Sequence, residues 1–192
     1  MLTSISPLGE RARGNRWTIT ATAYVVGSVL GGATVGGLLG LLGDVLLPRD
    51  APVLLLAAVV CLLAALADLA GLLPHGRRQV DEAWLDRYRG WVYGVGYGYQ
   101  LGLGVVTIVT SAATYAVVAL CALTGSLAGG LAVGATFGLV RALPLLGLRT
   151  ATSPGALHVL AARLERFGAA ATRTTAGLLA MASAVLLLGA TT

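Results

Sequence analysis

Five long apolar stretches, separated by short charged segments, account for most of the chain. A membrane-spanning helix needs roughly 20 mostly apolar residues to cross about 30 Å of hydrocarbon, and each stretch is close to this length or exceeds it. The pattern therefore predicts an all-α fold, a polytopic transmembrane helical bundle with spans near residues 17–47, 51–73, 91–123, 126–146 and 174–190.

The first and third stretches are longer than one straight span requires. At about 1.5 Å per residue, each would exceed roughly 45 Å as a continuous helix. Each is therefore tilted, extended beyond the bilayer or broken into two pieces. Five spans are the preferred prediction, and six spans remain the alternative.

Composition excludes a soluble domain as the main body of the protein. Hydrophobic residues make up 57% of the chain and charged residues only 11%, whereas soluble domains carry about 25% charged residues. The net charge of +5 comes from arginine alone, without lysine. These arginines flank the apolar stretches and do not form one polar face, so they indicate membrane orientation and argue against a nucleic-acid partner.

The distribution of arginine predicts one topology. Cytoplasmic segments of membrane proteins are enriched in positive charge, and residues 1–16 and 74–90 contain most of the arginines outside the carboxyl-terminal region. We expect a multi-pass protein of the inner, or cytoplasmic, membrane with its amino terminus in the cytoplasm and the lipid bilayer as its main partner. In this prediction, 1–16 is a cytoplasmic segment and 74–90 is a charged cytoplasmic loop within a single membrane domain.

An internal repeat relates two of the spans. Residues 27–40 match residues 125–138 in the order of their glycine, serine and valine positions. In the predicted topology the two copies cross the membrane in opposite directions, as in inverted-repeat transporters. The first repeat would cover 17–73 and the second 91–192. A chance match between two helices rich in glycine, alanine and leucine is the alternative.

Glycines recur at four-residue spacing in three of the apolar stretches. Residues four apart share a helix face, and a glycine face allows another helix backbone to approach closely. This spacing predicts helix packing, and a glycine-lined path for a small substrate is the alternative. The glycines are Gly32, Gly36, Gly40, Gly94, Gly98, Gly102, Gly130, Gly134 and Gly138.

The apolar stretches also contain polar, charged and aromatic residues. An amide and four hydroxyls are candidates for lining a pathway, although such hydroxyls commonly bond to their own helix; they are Gln100, Thr107, Thr110, Ser111 and Thr114. Three charges lie near span ends, where they are expected to reach interfacial water, and a functional role within the membrane is the alternative: Asp44, Asp68 and Arg141. Four aromatic residues indicate an interfacial belt: Trp91, Tyr93, Tyr97 and Tyr99.

The sequence offers no catalytic or metal-binding set. Cys61 and Cys121 are each isolated in an apolar stretch, where a cysteine commonly behaves as a small apolar side chain. They are weak candidates for a redox pair. No motif requires a cofactor or a metal, so the sequence favours a protein that is not an enzyme.

The second half of the chain resembles the thiol-electron conduits of the CcdA/DsbD type. The resemblance rests on residues 98–104, 112–123 and 125–126, followed by Gly138-Leu139 and Pro144-Leu145-Leu146. It implies two inverted three-helix repeats that relay reducing equivalents, with a thioredoxin-like partner. Thr107-Ile108 replaces the redox Pro-Cys of that family, so a thiol relay would depend on Cys61 and Cys121.

Two functions are consistent with these features. The leading prediction is a transporter-like membrane protein of this architecture that moves a small substrate or reducing equivalents. The alternative is a non-catalytic structural or assembly subunit of a larger membrane complex, with a membrane-protein partner or a second copy of the chain.

Overall fold

The computed structural model describes residues 5–48, 50–72, 87–104, 111–150 and 153–191, and these ranges contain helices and no strand. This confirms the predicted all-α class. The helices are α1 Pro7–Ala12, α2 Trp17–Leu46, α3 Val53–Ala70, α4 Gly90–Leu103, α5 Ala113–Leu123, α6 Leu127–Gly147 and α7 Pro154–Thr191, with a 3-10 turn at Leu148–Thr150.

Four helical segments in the described part of the chain are long and apolar enough to cross a membrane. They are α2, α3, α6 and the Arg166–Thr191 portion of α7. Large apolar side chains are exposed along them, for example Leu62, Leu63 and Leu66 on α3. An apolar surface of this extent is suited to lipid. These helices support a multi-pass membrane protein.

In the described residues, the predicted third span, 91–123, contains two helices, α4 and α5. Gly104 follows α4 with a left-handed φ of 71°, and α5 begins at Ala113. Glycine adopts this conformation without the strain of a Cβ atom. The 11 residues of α5 extend only about 16 Å, so α5 alone is too short to span the hydrocarbon.

The other long stretch, by contrast, forms one helix. Helix α2 contains 30 residues and is therefore about 45 Å long. Helix α7 also begins about 20 residues before the predicted last span. Pro154 stands at its start, where proline is well tolerated, and no later proline interrupts it.

The first of two compact units contains α1, α2 as far as Gly32, α4, α6 from Ala135 and α7 as far as Phe167. Aromatic and aliphatic side chains form its core: Ile5, Ala21, Tyr24, Tyr93, Tyr97, Ala142, Leu145 and Leu148. Tyr93 and Tyr97 are at most 1% exposed. The prediction that they join an interfacial belt is therefore wrong, because both face the protein core, whereas Trp91 is exposed.

The second unit contains α2 from Ala33, α3, α5, α6 as far as Gly134 and α7 from Gly168. Its core consists of small side chains, because α3 and α5 pack through Ala64, Ala112 and Ala116. Val60 and Leu179 cover this contact. The division into sequence repeats 17–73 and 91–192 stays a prediction.

Candidate functional site

A fully buried carboxylate, Glu10, lies in the first unit. Ser6 begins α1 by accepting a hydrogen bond from Gly9 N to its side-chain oxygen at 3.1 Å, and Pro7 occupies the first helical position. Glu10 then lies on the last turns of α1 with 0% exposure. A carboxylate buried to this degree is stable only if charged and polar partners replace water.

Three side chains donate to the Glu10 carboxylate. Arg13 Nη2 donates to Oε1 at 2.7 Å, Thr20 Oγ1 donates to Oε2 at 2.7 Å, and Tyr93 Oη also donates to Oε1. Asn15 joins them by donating from Nδ2 to Tyr93 Oη at 3.2 Å. We call these five residues the Glu10 cluster. They connect the amino-terminal segment to α2 and α4.

Electrostatics within the Glu10 cluster favour the charged form of Arg13. Burial acts to lower the pKa of Arg13, but its bonds to Glu10 and Tyr93 raise it, and the net pKa lies above the usual value. Arg13 therefore stays charged at any pH at which the protein is handled. Both carboxylate oxygens of Glu10 already accept hydrogen bonds from the protein. The Glu10 cluster therefore holds the amino-terminal segment against α2 and α4.

Sequence reasoning missed the Glu10 cluster. Glu10 and Tyr93 are 83 positions apart, so their contact depends on the packing of α4 against the amino-terminal segment. One local signal was present, since Ser6-Pro7 is typical of a helix start.

A second buried carboxylate, Asp68, caps the start of α5 in the second unit. Asp68 Oδ1 accepts from Ala112 N at 2.6 Å, and Oδ2 accepts from Ser111 Oγ at 2.7 Å. Asp68 is only 7% exposed, so it is not the water-exposed interfacial charge that its position in the sequence predicted. An acidic side chain at this place accepts a hydrogen bond from a backbone N–H that has no partner within the helix. Its negative charge also interacts favourably with the positive end of the helix dipole.

Loss of this cap should destabilise the start of α5 and its attachment to α3. We expect Asp68→Ala to reduce the free energy of unfolding by about 2 kcal/mol, since it removes a cap and leaves buried donors unpaired. That loss corresponds to a melting temperature lower by about 4–8 °C in detergent. Asp50→Ala, which removes an exposed carboxylate, is the matched control, and equal melting temperatures for the two variants would contradict the capping role.

In the first unit, glycines bring α2 and α4 together as a parallel pair. Cβ atoms at Gly94, Gly98 and Gly102 would strike the backbone of α2 at Thr20, Tyr24 and Ser28, each closer than 3.0 Å. Residue numbers increase along both helices from one contact to the next, so the helices run in the same direction. These three glycines therefore face α2 directly.

In the second unit, glycines bring α2 and α6 together as an antiparallel pair. A Cβ atom at Gly36 would lie closer than 3.0 Å to the backbone oxygen of Gly130, and one at Gly40 would do the same at Ser126. Residue numbers rise on α2 as they fall on α6. Gly134 joins the contact, because its Cα would lie 2.9 Å from the added atom at Gly36.

The sequence repeat places equivalent residues in equivalent contacts. Its offset is 98 positions, which converts residue 28 into 126 and residue 40 into 138. In the first unit the backbone oxygen of Ser28 faces Gly138, and in the second unit the backbone oxygen of Ser126 faces Gly40. The Ser28 hydroxyl also donates to Gly138 O at 2.7 Å, a bond that sequence reasoning missed.

The predicted pathway residues do not all fall within the described structure. Thr107 and Thr110 lie outside the described residues. Gln100 is half-buried on α4 and Thr114 is buried on α5. Ser111 donates to Asp68, so its hydroxyl supports a helix cap. The assignment of these residues to a pathway stays a prediction.

Both cysteines are buried in the second unit. Cys61 on α3 and Cys121 on α5 are each 2% exposed, and both are free thiols. Their redox role stays a prediction. Among the residues that the structure describes, no three His, Cys, Asp or Glu side chains are grouped as metal ligands.

The remaining charges near the span ends differ in exposure. Asp44 is exposed on α2. Arg141 is partly buried on α6, with its Cζ 5.3 Å from the centroid of the Phe137 ring. A guanidinium at that distance from an aromatic face makes a favourable cation–π contact.

The chain is similar in sequence to proteins named methylamine utilization protein MauF. The chain is 33% identical over 155 residues to MauF of Methylophilus methylotrophus, covering 75% of this chain and 53% of the relative. It is 35% identical over 152 residues to MauF of Paracoccus versutus, covering 74% and 56%. The chain thus spans about half the length of these curated relatives. No family model and no solved structure matches the chain.

These relatives correct two predictions from the sequence. Membership of the CcdA/DsbD type is wrong, because the four relatives found are all named MauF. The resemblance depended on glycine, alanine and leucine positions that any closely packed membrane helix shares. The transporter-like function is wrong for the same reason, and the thioredoxin-like partner that it implied loses its basis. The alternative, an accessory or assembly subunit, agrees better with the relatives.

Proposed function

We propose that this chain is a non-catalytic accessory subunit that serves methylamine utilization from within the cytoplasmic membrane. One observation carries the proposal: proteins named for methylamine utilization align with about three-quarters of the chain. We favour one form of this accessory role: the predicted alternative of an assembly subunit that has a membrane-protein partner.

The use of polar side chains supports a structural role. Several buried polar groups in the helices bond to the protein itself: Ser28 donates to Gly138 O, Ser183 donates to Ala58 O at 2.8 Å, and Asp68 caps α5. Such bonds between helices hold a bundle together in lipid, where water is absent. Because their polar atoms bond to the protein itself, these groups stabilise the positions of the helices.

The placement of arginines supports an amino terminus in the cytoplasm. Arg11 and Arg16 are exposed before α2, and Arg87 and Arg89 are exposed before α4. Because α2 and α4 are parallel in the first unit, both pairs belong to the same end of that unit. Positive charge of this kind favours the cytoplasmic side.

Deletion of the gene in its own host tests the proposal. We expect the deletion strain to lose growth on methylamine as the nitrogen source while it grows normally on ammonium. A plasmid copy should restore growth, and so should the Cys61→Ala, Cys121→Ala double variant, because the proposed role needs no thiol chemistry.

The outcomes separate the two parts of this proposal. Normal growth of the deletion strain on methylamine would refute a role in methylamine utilization. Failure of the double variant to restore growth, despite wild-type amounts of protein in the membrane, would refute the non-catalytic role. Uptake of labelled methylamine by liposomes that contain the purified protein would also contradict an accessory subunit.

A further inference from the structure

An apolar groove lies on the surface of the first unit, along α2 and beside α4. Thr18, Ile19, Thr22, Ala23 and Val26 line it from α2, together with Val95 from α4, and its volume is about 440 Å³. This volume lies within the range of roughly 300–1,000 Å³ that is usual for sites that hold small organic ligands. The lining side chains are apolar except for Thr18 and Thr22, which each carry a hydroxyl group.

An exposed arginine stands at one end of the groove. The Arg16 carbonyl accepts from Ile19 N at 2.9 Å, so Arg16 belongs to the first turn of α2. Positions 16, 19, 23 and 26 share one face of a helix. Arg16 therefore extends the line of groove residues towards the start of α2, and its side chain is exposed.

The exposed charge at this end of the first unit is positive over the described residues. Arg11, Arg87 and Arg89 are exposed near Arg16 in the fold, because a Cβ atom at Gly90 would touch Thr20 and Asn15 at the start of α2. Among the described residues close to Arg16, the acidic residue Glu10 is buried and paired with Arg13. The groove is therefore open to a ligand with a negative end and an apolar tail.

The length of the groove matches one leaflet of a bilayer. From residue 16 to residue 26, α2 rises about 15 Å, which is half of the roughly 30 Å hydrocarbon thickness. Thr18 and Thr22 lie in the first two turns, at the depth where ester oxygens of a phospholipid would accept hydrogen bonds from hydroxyls. Exposed Trp91 and Tyr88 at the start of α4 are typical of the same interfacial depth.

We propose that this groove is a binding site for an anionic phospholipid. The phosphate pairs with Arg16, the ester oxygens lie beside Thr18 and Thr22, and one acyl chain follows the groove to Val26. The site would tie the first unit to the anionic leaflet at the end of the unit that carries the Glu10 cluster.

Lipid binding to the purified full-length protein tests this site. Native mass spectrometry and thermal unfolding would be measured with phosphatidylglycerol and with phosphatidylcholine. We expect phosphatidylglycerol to remain bound and to raise the melting temperature more than phosphatidylcholine does. Arg16→Gln should lower the affinity for phosphatidylglycerol about fivefold, as expected for the loss of one arginine near an anionic headgroup. Arg173→Gln, an exposed arginine of α7 in the second unit, should leave it unchanged.

A second pair of variants tests the apolar part of the site. Thr22→Trp fills the groove from an exposed position and should reduce binding of phosphatidylglycerol, whereas Leu42→Trp, also exposed on α2, should not. Equal binding of the two lipids, or wild-type binding by Arg16→Gln and Thr22→Trp, would overturn the proposal. Displacement of the lipid by millimolar inorganic phosphate would also overturn it, since the site would then recognise phosphate alone.

Discussion

Gly36→Ala is expected to lower the free energy of unfolding by about 3 kcal/mol, because a single methyl group forces α2 away from α6. The added Cβ would lie closer than 3.0 Å to Gly130 O and 2.9 Å from Gly134 Cα. Both atoms belong to backbone, so no side chain can rotate to make room. Overpacking of this kind typically costs about 1–3 kcal/mol, and the upper end applies where backbone must move.

Thermal unfolding in mild detergent measures this effect, and the expected fall in melting temperature is about 6–12 °C. Gly177→Ala on α7 is the matched control, because a Cβ atom there meets nothing within 4 Å. That variant should be as stable as the wild type or more stable by up to about 1 kcal/mol, since alanine favours helix over glycine. If the two variants unfold at the same temperature, α2 and α6 do not approach each other as described.

Glu10→Ala is expected to release the amino-terminal segment from the first unit. The substitution leaves Thr20 and Tyr93 without their common acceptor and removes the ion pair between Glu10 and Arg13. Removing one member of a buried pair costs about 3–5 kcal/mol. The expected loss is at the lower end, about 3 kcal/mol, because Arg13 is 25% exposed and regains some hydration.

The rate of tryptic cleavage after Arg13 reports this release. Cleavage tracks the population of the open form when opening is fast, so a loss of about 3 kcal/mol should raise the rate roughly a hundredfold. Tyr93→Phe removes one donor and should raise it only several-fold, as a net loss of about 1 kcal/mol predicts. Asp44→Ala, which removes an exposed carboxylate elsewhere on α2, should cleave like the wild type. A Glu10→Ala variant that also resists trypsin would show that the segment is held by other contacts.

The helices of this protein were largely predictable because each depends on a local property of the sequence. The span predicted to begin at residue 17 begins at Trp17, and those predicted at 51–73 and 126–146 correspond to Val53–Ala70 and Leu127–Gly147. An apolar run of sufficient length has few alternatives to a helix in lipid. The four-residue spacing of glycines is a local signal of the same kind, since glycine faces permit close backbone contacts.

The polar contacts were not predictable from the sequence. Asp68 lies 44 positions from Ala112, and Ser183 lies 125 positions from Ala58. Whether such a side chain reaches water or a protein partner depends on which helices are neighbours, and the spacing of residues within one helix does not contain that information. The start of α5 at Ala113 was not predictable for the same reason, because a carboxylate from α3 stabilises it.

The equivalent contacts of the repeat have a consequence for how the bundle is specified. Each copy carries both halves of the contact, a serine backbone oxygen and a glycine twelve positions later, at Ser28 and Gly40 and again at Ser126 and Gly138. Such a segment is self-complementary, like the surface patch of a two-fold symmetric dimer. The two copies of the repeat lie on α2 and α6, and these helices pack against each other through equivalent residues. The contact is therefore homotypic, although both helices belong to one polypeptide.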